Sequence, residues 1–292
     1  MKNQTRAYLY AGIAIFFWST VASVFKIGLT KINFIQFLFF ATITSFLILL
    51  LINIITGKLN MLAVAGKKTF LFAALMGALN PFVYYLVLFK AYEILPAQVA
   101  QPLNMIWPIL IVFLSVLILK QKIRAISFLA LFICFAGVYL ISSQGNPWSF
   151  SFREPFGVAL ATGSSLIWAF YWILNVKKGG DEDLLLLLNF LFASVYISLL
   201  MIILKGFQDL DWVGVGLAIY SGAFEMGITF LLWIKAMKLS QSNDRISNLV
   251  YLAPFLSLVF IHFFVGETIF VTSVAGLTLI VAGIIVEKIR LF

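Results

Sequence analysis

Two stretches decide the fold: GALNPFVYYLVLFKA at residues 77–91 and GAFEMGITFLLWIKA at residues 222–236. Each opens on Gly-Ala, closes on Lys-Ala and is otherwise almost wholly apolar. At the centre of the first stand Asn80 and Pro81, and at the matching place in the second stands Glu225. The pair reads as one helix written twice, with a helix breaker in one copy and a carboxyl group in the other.

The rest of the chain is of the same kind. Of 292 residues, 63% are hydrophobic and 11% charged, whereas a soluble domain is about half apolar and about one quarter charged. Apolar runs long enough to cross a hydrocarbon core of about 30 Å recur from end to end. The composition is that of an all-α polytopic membrane protein. The excess of 20 Lys and Arg over 11 Asp and Glu then belongs to cytoplasmic loops facing anionic lipid, not to a nucleic-acid partner. A single Cys and a single His leave almost nothing from which to build a zinc site, and one Cys closes no intrachain disulfide. No cofactor is expected.

Ten spans are expected, near 7–29, 34–56, 69–93, 96–119, 125–142, 156–176, 184–204, 212–238, 244–264 and 271–289. The first follows a basic start at Lys2 and Arg6 but is too long for a signal peptide and has a counterpart later in the chain, so it reads as a retained span. With the amino terminus inside, the inner segments hold fifteen basic residues, among them Lys67, Lys68, Lys120, Lys122, Lys177 and Lys178. The outer ones hold only Lys26, Lys31, Lys90, Arg153 and Lys205. This bias puts both termini in the cytoplasm and the chain in the inner (cytoplasmic) membrane as a multi-pass protein.

Further matches extend the opening pair. Trp18 corresponds to Trp168, Pro108 to Pro254, and Ala136-Gly137 to Ala282-Gly283, at spacings of 146 to 150 residues. The chain therefore reads as two repeats, 1–145 and 150–292. Five helices per repeat is an odd number, so the second repeat enters the membrane inverted. Inverted repeats are characteristic of secondary transporters, whose halves rock about a site near the midplane.

Phe17-Trp18-Ser19-Thr20 in the first span and Ser165-Leu166-Ile167-Trp168-Ala169 in the sixth resemble the drug/metabolite transporter superfamily, in particular its EamA-domain members. Gly266-Glu267 after the ninth span fits the same pattern, although the first repeat has Lys120-Gln121 in its place. Ile106-Trp107-Pro108 and Lys120-Gln121-Lys122 resemble the aromatic amino-acid exporter branch. The resemblance implies export or exchange of amino acids, other metabolites or drugs, by a monomer or homodimer.

Residues that could carry that chemistry are few. Glu225 lies about thirteen residues, roughly 20 Å, from either end of its span. A charge at that depth costs about 2.5–3.5 kcal/mol on insertion scales, so it should face a cavity or a partner helix, binding a cationic group or exchanging protons. Pro81 removes a backbone donor beside Asn80, giving either a binding break or a plain kink. Gln98, Gln101 and Asn104 recur at spacing three before Trp107 and Pro108, and Asp244, Asn248 and Tyr251 share one face of the ninth span. Gln101, Asn104 and Asn248 are candidates for lining a vestibule, and the others for interhelical hydrogen bonding. Trp168, Tyr171, Trp172 and Asn175 fall at i, i+3, i+4 and i+7 and either line a pocket for a flat ligand or pack and anchor the helix. Trp18, Tyr84, Tyr85, Trp107 and Trp233 are secondary candidates, whereas Lys90, Lys235 and His262 read as residues of the helix ends, the matched Lys90 and Lys235 leaving a gate role open.

No Walker-type loop is present, so ATP is not the direct energy source. No nucleophile, metal or paired-acid constellation suggests an enzyme. A channel would be expected to show a filter loop or a charged ring. The expectation is an alternating-access carrier for a small molecule, an amino-acid or related metabolite exporter or exchanger. A multidrug or cationic-compound exporter is the alternative within transport, and a channel or receptor the alternative outside it. A reporter fused to the carboxyl terminus is predicted to signal from the cytoplasm; a periplasmic signal would overturn the ten-span arrangement.

Overall fold

The structure is a computed structural model describing residues 2–60, 62, 65–120, 125–149, 153–178, 182–240 and 249–288. Asp244, Asn248, Lys122 and Asp181 lie outside the described residues. Among those described, the elements are helical and none is a strand. They are α1 (Lys2–Leu29), α2 (Phe34–Ile55), α3 (Lys67–Ile94), α4 in two halves (Ala97–Asn104 and Trp107–Leu119), α5 (Ala125–Ser142) and α6 (Pro155–Lys178). There follow α7 (Glu182–Ile203), α8 in three parts (Trp212–Ser221, Gly222–Gly227 and Ile228–Leu239), α9 (Leu252–Val265) and α10 (Val271–Lys288).

Seven of these described helices are long and apolar enough to cross a membrane. The apolar stretches Ile126–Ser142, Leu252–Val265 and Val271–Glu287 are shorter. Helix ends follow local chemistry. The Asn33 side chain accepts the N–H groups of Ile35 and Gln36 while Gln36 returns a bond to the Asn33 N–H, a capping box that starts α2. Asp211 caps α8 through Val213 and Gly214. Gly57 and Gly266 follow α2 and α9 with positive φ.

The chain forms two compact units, each drawing on both halves of the sequence. The first takes Met1–Phe82 and Asp181–Gly266. In it α1 packs on α8 and α9, α2 on α7 and α8, and the first half of α3 on α7. The second takes Val83–Gly180 and Glu267–Phe292, where α6 packs on the second half of α3 and on both halves of α4, and α5 packs on α10.

Small residues let these backbones meet. A β-carbon on Gly77 would overlap the Asn189 carbonyl of α7, and one on Gly222 would overlap the Ala41 carbonyl of α2. The same contact thus occurs twice in the first unit, with the partners exchanged. In the second unit a β-carbon on Gly137 would lie 2.5 Å from the Gly276 carbonyl oxygen, and one on Gly283 would lie 2.8 Å from that of Ala130. Close approach of this kind replaces the hydrophobic drive that lipid cannot supply between helices. The opposite face of α5 carries Phe128, Phe132 and Phe135, all exposed at i, i+4 and i+7, as suits a surface solvated by acyl chains.

The glycines are not interchangeable. Gly77→Ala and Gly222→Ala should each destabilise the protein by about 1–3 kcal/mol through overpacking. Gly216→Ala, in the same helix as Gly222 but with open space around it, should be neutral or stabilising by up to about 1 kcal/mol. Tryptophan-fluorescence unfolding midpoints in detergent would separate the two cases.

Candidate functional site

In the second unit the polar residues of α4 and α6 converge where α4 is broken. Pro108 has no N–H for the Asn104 carbonyl four residues earlier, and its ring crowds that oxygen, so the helix stops at Asn104 and restarts at Trp107. Ser165 of α6 meets the freed backbone: its hydroxyl lies 2.9 Å from the Asn104 carbonyl and 3.1 Å from that of Leu103. The Asn104 side chain is engaged at both ends. It accepts the Tyr84 hydroxyl at 3.1 Å and donates to the Ser164 hydroxyl at 2.8 Å.

Aromatic rings pack beside this network. The Tyr84 ring lies 4.8 Å from that of Trp168, which lies 6.0 Å from both Tyr171 and Trp172. Tyr84 and Tyr171 are buried, and Trp172 is exposed at the edge of the cluster. Gln101, one turn before Asn104, holds a buried side-chain oxygen without a hydrogen-bond partner. Asn175 donates to the Tyr171 carbonyl of its own helix at 2.8 Å. Trp107 opens the second half of α4.

Gln98 faces elsewhere. Its side chain accepts the Phe270 N–H at 2.8 Å and the Ser273 hydroxyl at 3.1 Å and donates to the Thr268 carbonyl at 2.9 Å. The Glu267 carboxylate accepts the N–H groups of Ala97 and Gln98 at 2.7 and 3.1 Å, negative charge set against the positive end of α4. Gln98 therefore ties helices together, as the sequence suggested. Lys90 pairs with Glu93 at 2.8 Å.

The first unit holds Glu225, Trp18, Asn80 and Pro81. Glu225 is partly buried in a π turn, Gly222–Gly227, where the Ile228 N–H reaches back five residues to Ala223. The Phe224 ring stacks on Phe17 at 4.4 Å, and Tyr220 shares a hydrogen bond of 2.9 Å with Thr20. Trp18 packs against Trp233 at 5.2 Å and Phe230 at 6.2 Å. In α3 the corresponding interruption spans Ala78–Val83, where Asn80 leaves helical geometry at φ −145° and ψ 123° and the peptide to Pro81 is cis. Asn80 is 4% exposed, and its side-chain oxygen has no hydrogen-bond partner. The Tyr196 hydroxyl of α7 donates to the Ala74 carbonyl just before it, at 3.1 Å.

Tyr84, Asn104, Trp168, Tyr171 and Trp172 are thus brought together, while Glu225 and Trp18 belong to the other unit. Asn248 falls outside the described residues. The hydroxyls of Ser164, Ser165, Ser45 and Thr229 were not among the sequence candidates. Their signal was weak: a serine pair one turn before Trp168, and single hydroxyls in otherwise apolar runs.

The arrangement has relatives. The model of the EamA-like transporter family matches residues 5–143 and again 155–286. An uncharacterized transporter of Bacillus subtilis (strain 168), YxxF, is 26% identical over 211 residues, covering 70% of this chain and 66%, just under two thirds, of its own. Another from the same organism, YvbV, is 24% identical over 222 residues, covering 75% and 72%. A solved crystal structure superposes on 97% of this chain and 96% of its own with a TM-score of 0.65 at 20% identity, a likeness of fold.

The Asn104 network makes a test of its own. A double-mutant cycle between Tyr84→Phe and Asn104→Ala should give a coupling of about 0.6 kcal/mol and at most about 1.7, the range for hydrogen bonds inside membranes. Unfolding midpoints would measure it, and a cycle pairing Asn104→Ala with Gln98→Ala should give none.

Proposed function

Because the chain belongs to the EamA-like transporter family, and so is a membrane transporter of small molecules, we propose that it works as a secondary carrier by alternating access in the cytoplasmic membrane. Its cargo in this reading is an amino acid or related metabolite, exported or exchanged. The observation that carries the proposal is that α3 and α8 lose α-helical register at matching places, Ala78–Val83 and Gly222–Gly227. Discontinuous helices turn polar backbone and unpaired side chains away from lipid and toward a binding region, which is how many carriers build their sites.

The two halves, 1–145 and 150–292, act in this reading as inverted repeats with both termini in the cytoplasm. Support comes from the family model, which matches once in each half, and from the glycine contacts. Gly77 meets α7 as Gly222 meets α2, and Gly137 meets Gly276 as Gly283 meets Ala130. Pseudo-symmetry supplies two shapes of similar energy, one open to each side, and a ligand then needs only a modest differential affinity to drive exchange.

Glu225 is the coupling group in this proposal, since a carboxyl at midspan can hold a proton on one side and release it on the other. Amino acids are proposed on resemblance to the aromatic amino-acid exporter branch. A cationic compound is the second reading, favoured by the ring faces of Tyr84, Trp168, Tyr171 and Trp172, which suit a cation as well as a flat ligand.

Purified protein in proteoliposomes should catalyse saturable counterflow of at least one member of a panel of labelled amino acids and tetraphenylphosphonium. Conductance without saturation would instead indicate a channel. Glu225→Gln should flatten the pH dependence of that flux, and an unchanged profile would remove Glu225 from coupling.

A further inference from the structure

The π turn around Glu225 needs an explanation that its sequence does not supply. In α3 the interruption has a proline at its centre. Gly222-Ala223-Phe224-Glu225-Met226-Gly227 has none, and nothing in it forbids a straight α-helix. A π turn carries one residue more than α-helical pairing accommodates and leaves backbone carbonyls without their usual amide partner.

Two buried hydroxyls reach carbonyls of this turn. Thr229, 0% exposed, donates its hydroxyl to the Phe224 carbonyl five residues back. Ser45 of α2, also 0% exposed, lies 2.8 Å from the Gly222 carbonyl and 2.8 Å from the Ala41 carbonyl of its own helix. One bond closes the turn from its far end and the other fastens its near end to α2, at the point where Gly222 already touches Ala41.

We infer that Ser45 and Thr229 are positioning residues for Glu225, holding the π turn that aims its carboxyl group. Without them the segment relaxes to α-helix. Loss of the extra residue rotates one side of the helix against the other by about 100° and shifts it by about 1.5 Å. Glu225 stands in the middle of that rotation. Of the helices packed on the turn, α2 has no charged residue from Phe34 to Ile55, and α1 has none between Arg6 and Lys26. Tyr8 and Tyr10 belong to the opening turns of α1, and Tyr220, on α8, shares its hydroxyl with Thr20. Moving the carboxyl relative to these helices changes its environment without removing any charge.

The inference rests on Glu225 being a working group of the carrier, and the experiment separates the two. Infrared spectra of the lipid-reconstituted protein are recorded from about pH 4 to about pH 10, and the carboxyl band lost in Glu225→Gln is assigned to Glu225. In Ser45→Ala and in Thr229→Val, which keeps the side-chain volume, the frequency of that band should change. Its titration midpoint should move by about one pH unit. Thr229→Ser, which restores the hydroxyl, should return both to wild type. An unchanged frequency and midpoint in both variants overturns the inference. A band that never titrates removes proton coupling from Glu225, while its frequency still decides whether the two hydroxyls aim it. Should one variant fail to fold, the other decides.

Discussion

A backbone carbonyl inside a membrane has no water to turn to, and every break in a helix creates at least one such carbonyl. This protein interrupts α3, α4 and α8 within apolar runs and, in α4 and α8, brings side-chain hydroxyls to the backbone at the break. The Ser165 hydroxyl lies against the Asn104 and Leu103 carbonyls, Thr229 donates to Phe224, and Ser45 reaches Gly222. The donors come mostly from a neighbouring helix, so satisfying the backbone also fixes which helices stand side by side. The breaks, the packing and the placement of candidate site residues follow from one constraint.

Glycine supplies the other half of that arrangement. A hydroxyl on one helix reaches a carbonyl on the next only when the backbones are close, and Gly222 brings α8 onto α2 beside Ser45. Where no break has to be served, as between α5 and α10, glycines still bring the helices together, and Cys134 faces the Ile280 carbonyl at 3.6 Å. On α5 the large side chains of Phe128, Phe132 and Phe135 stand on the outer face, where lipid is as good a solvent for them as protein.

Much of this was legible in the chain. The matched Gly77 and Gly222 marked helices that meet a neighbour in the same way, and Pro81 marked one of the breaks, whereas the break at Pro108 fell inside a span read as continuous. The aromatic spacing from Trp168 to Trp172 marked a real cluster. The serving hydroxyls were not legible, for a physical reason. A serine in a membrane helix can always donate to its own backbone one turn back, as Ser19 does to Ile15, Ser115 to Ile111 and Ser194 to Phe190. Nothing in the sequence distinguishes those from Ser45 and Ser165, whose hydroxyls also reach another helix. The interruption of α8 was hidden for a similar reason, because it contains no proline.

By itself, then, the sequence determined the helices, their apolar character and the residues unusual enough to be candidates, since hydropathy, proline and glycine act locally and leave local marks. Tertiary structure decided which polar groups are spent on holding the helices together and which keep a buried atom without a hydrogen-bond partner. Asn104 is engaged at both ends of its amide, whereas the Asn80 and Gln101 oxygens are buried with no hydrogen-bond partner. That difference depends on what a neighbouring helix brings within about 3 Å, and no one-dimensional pattern of residues contains it.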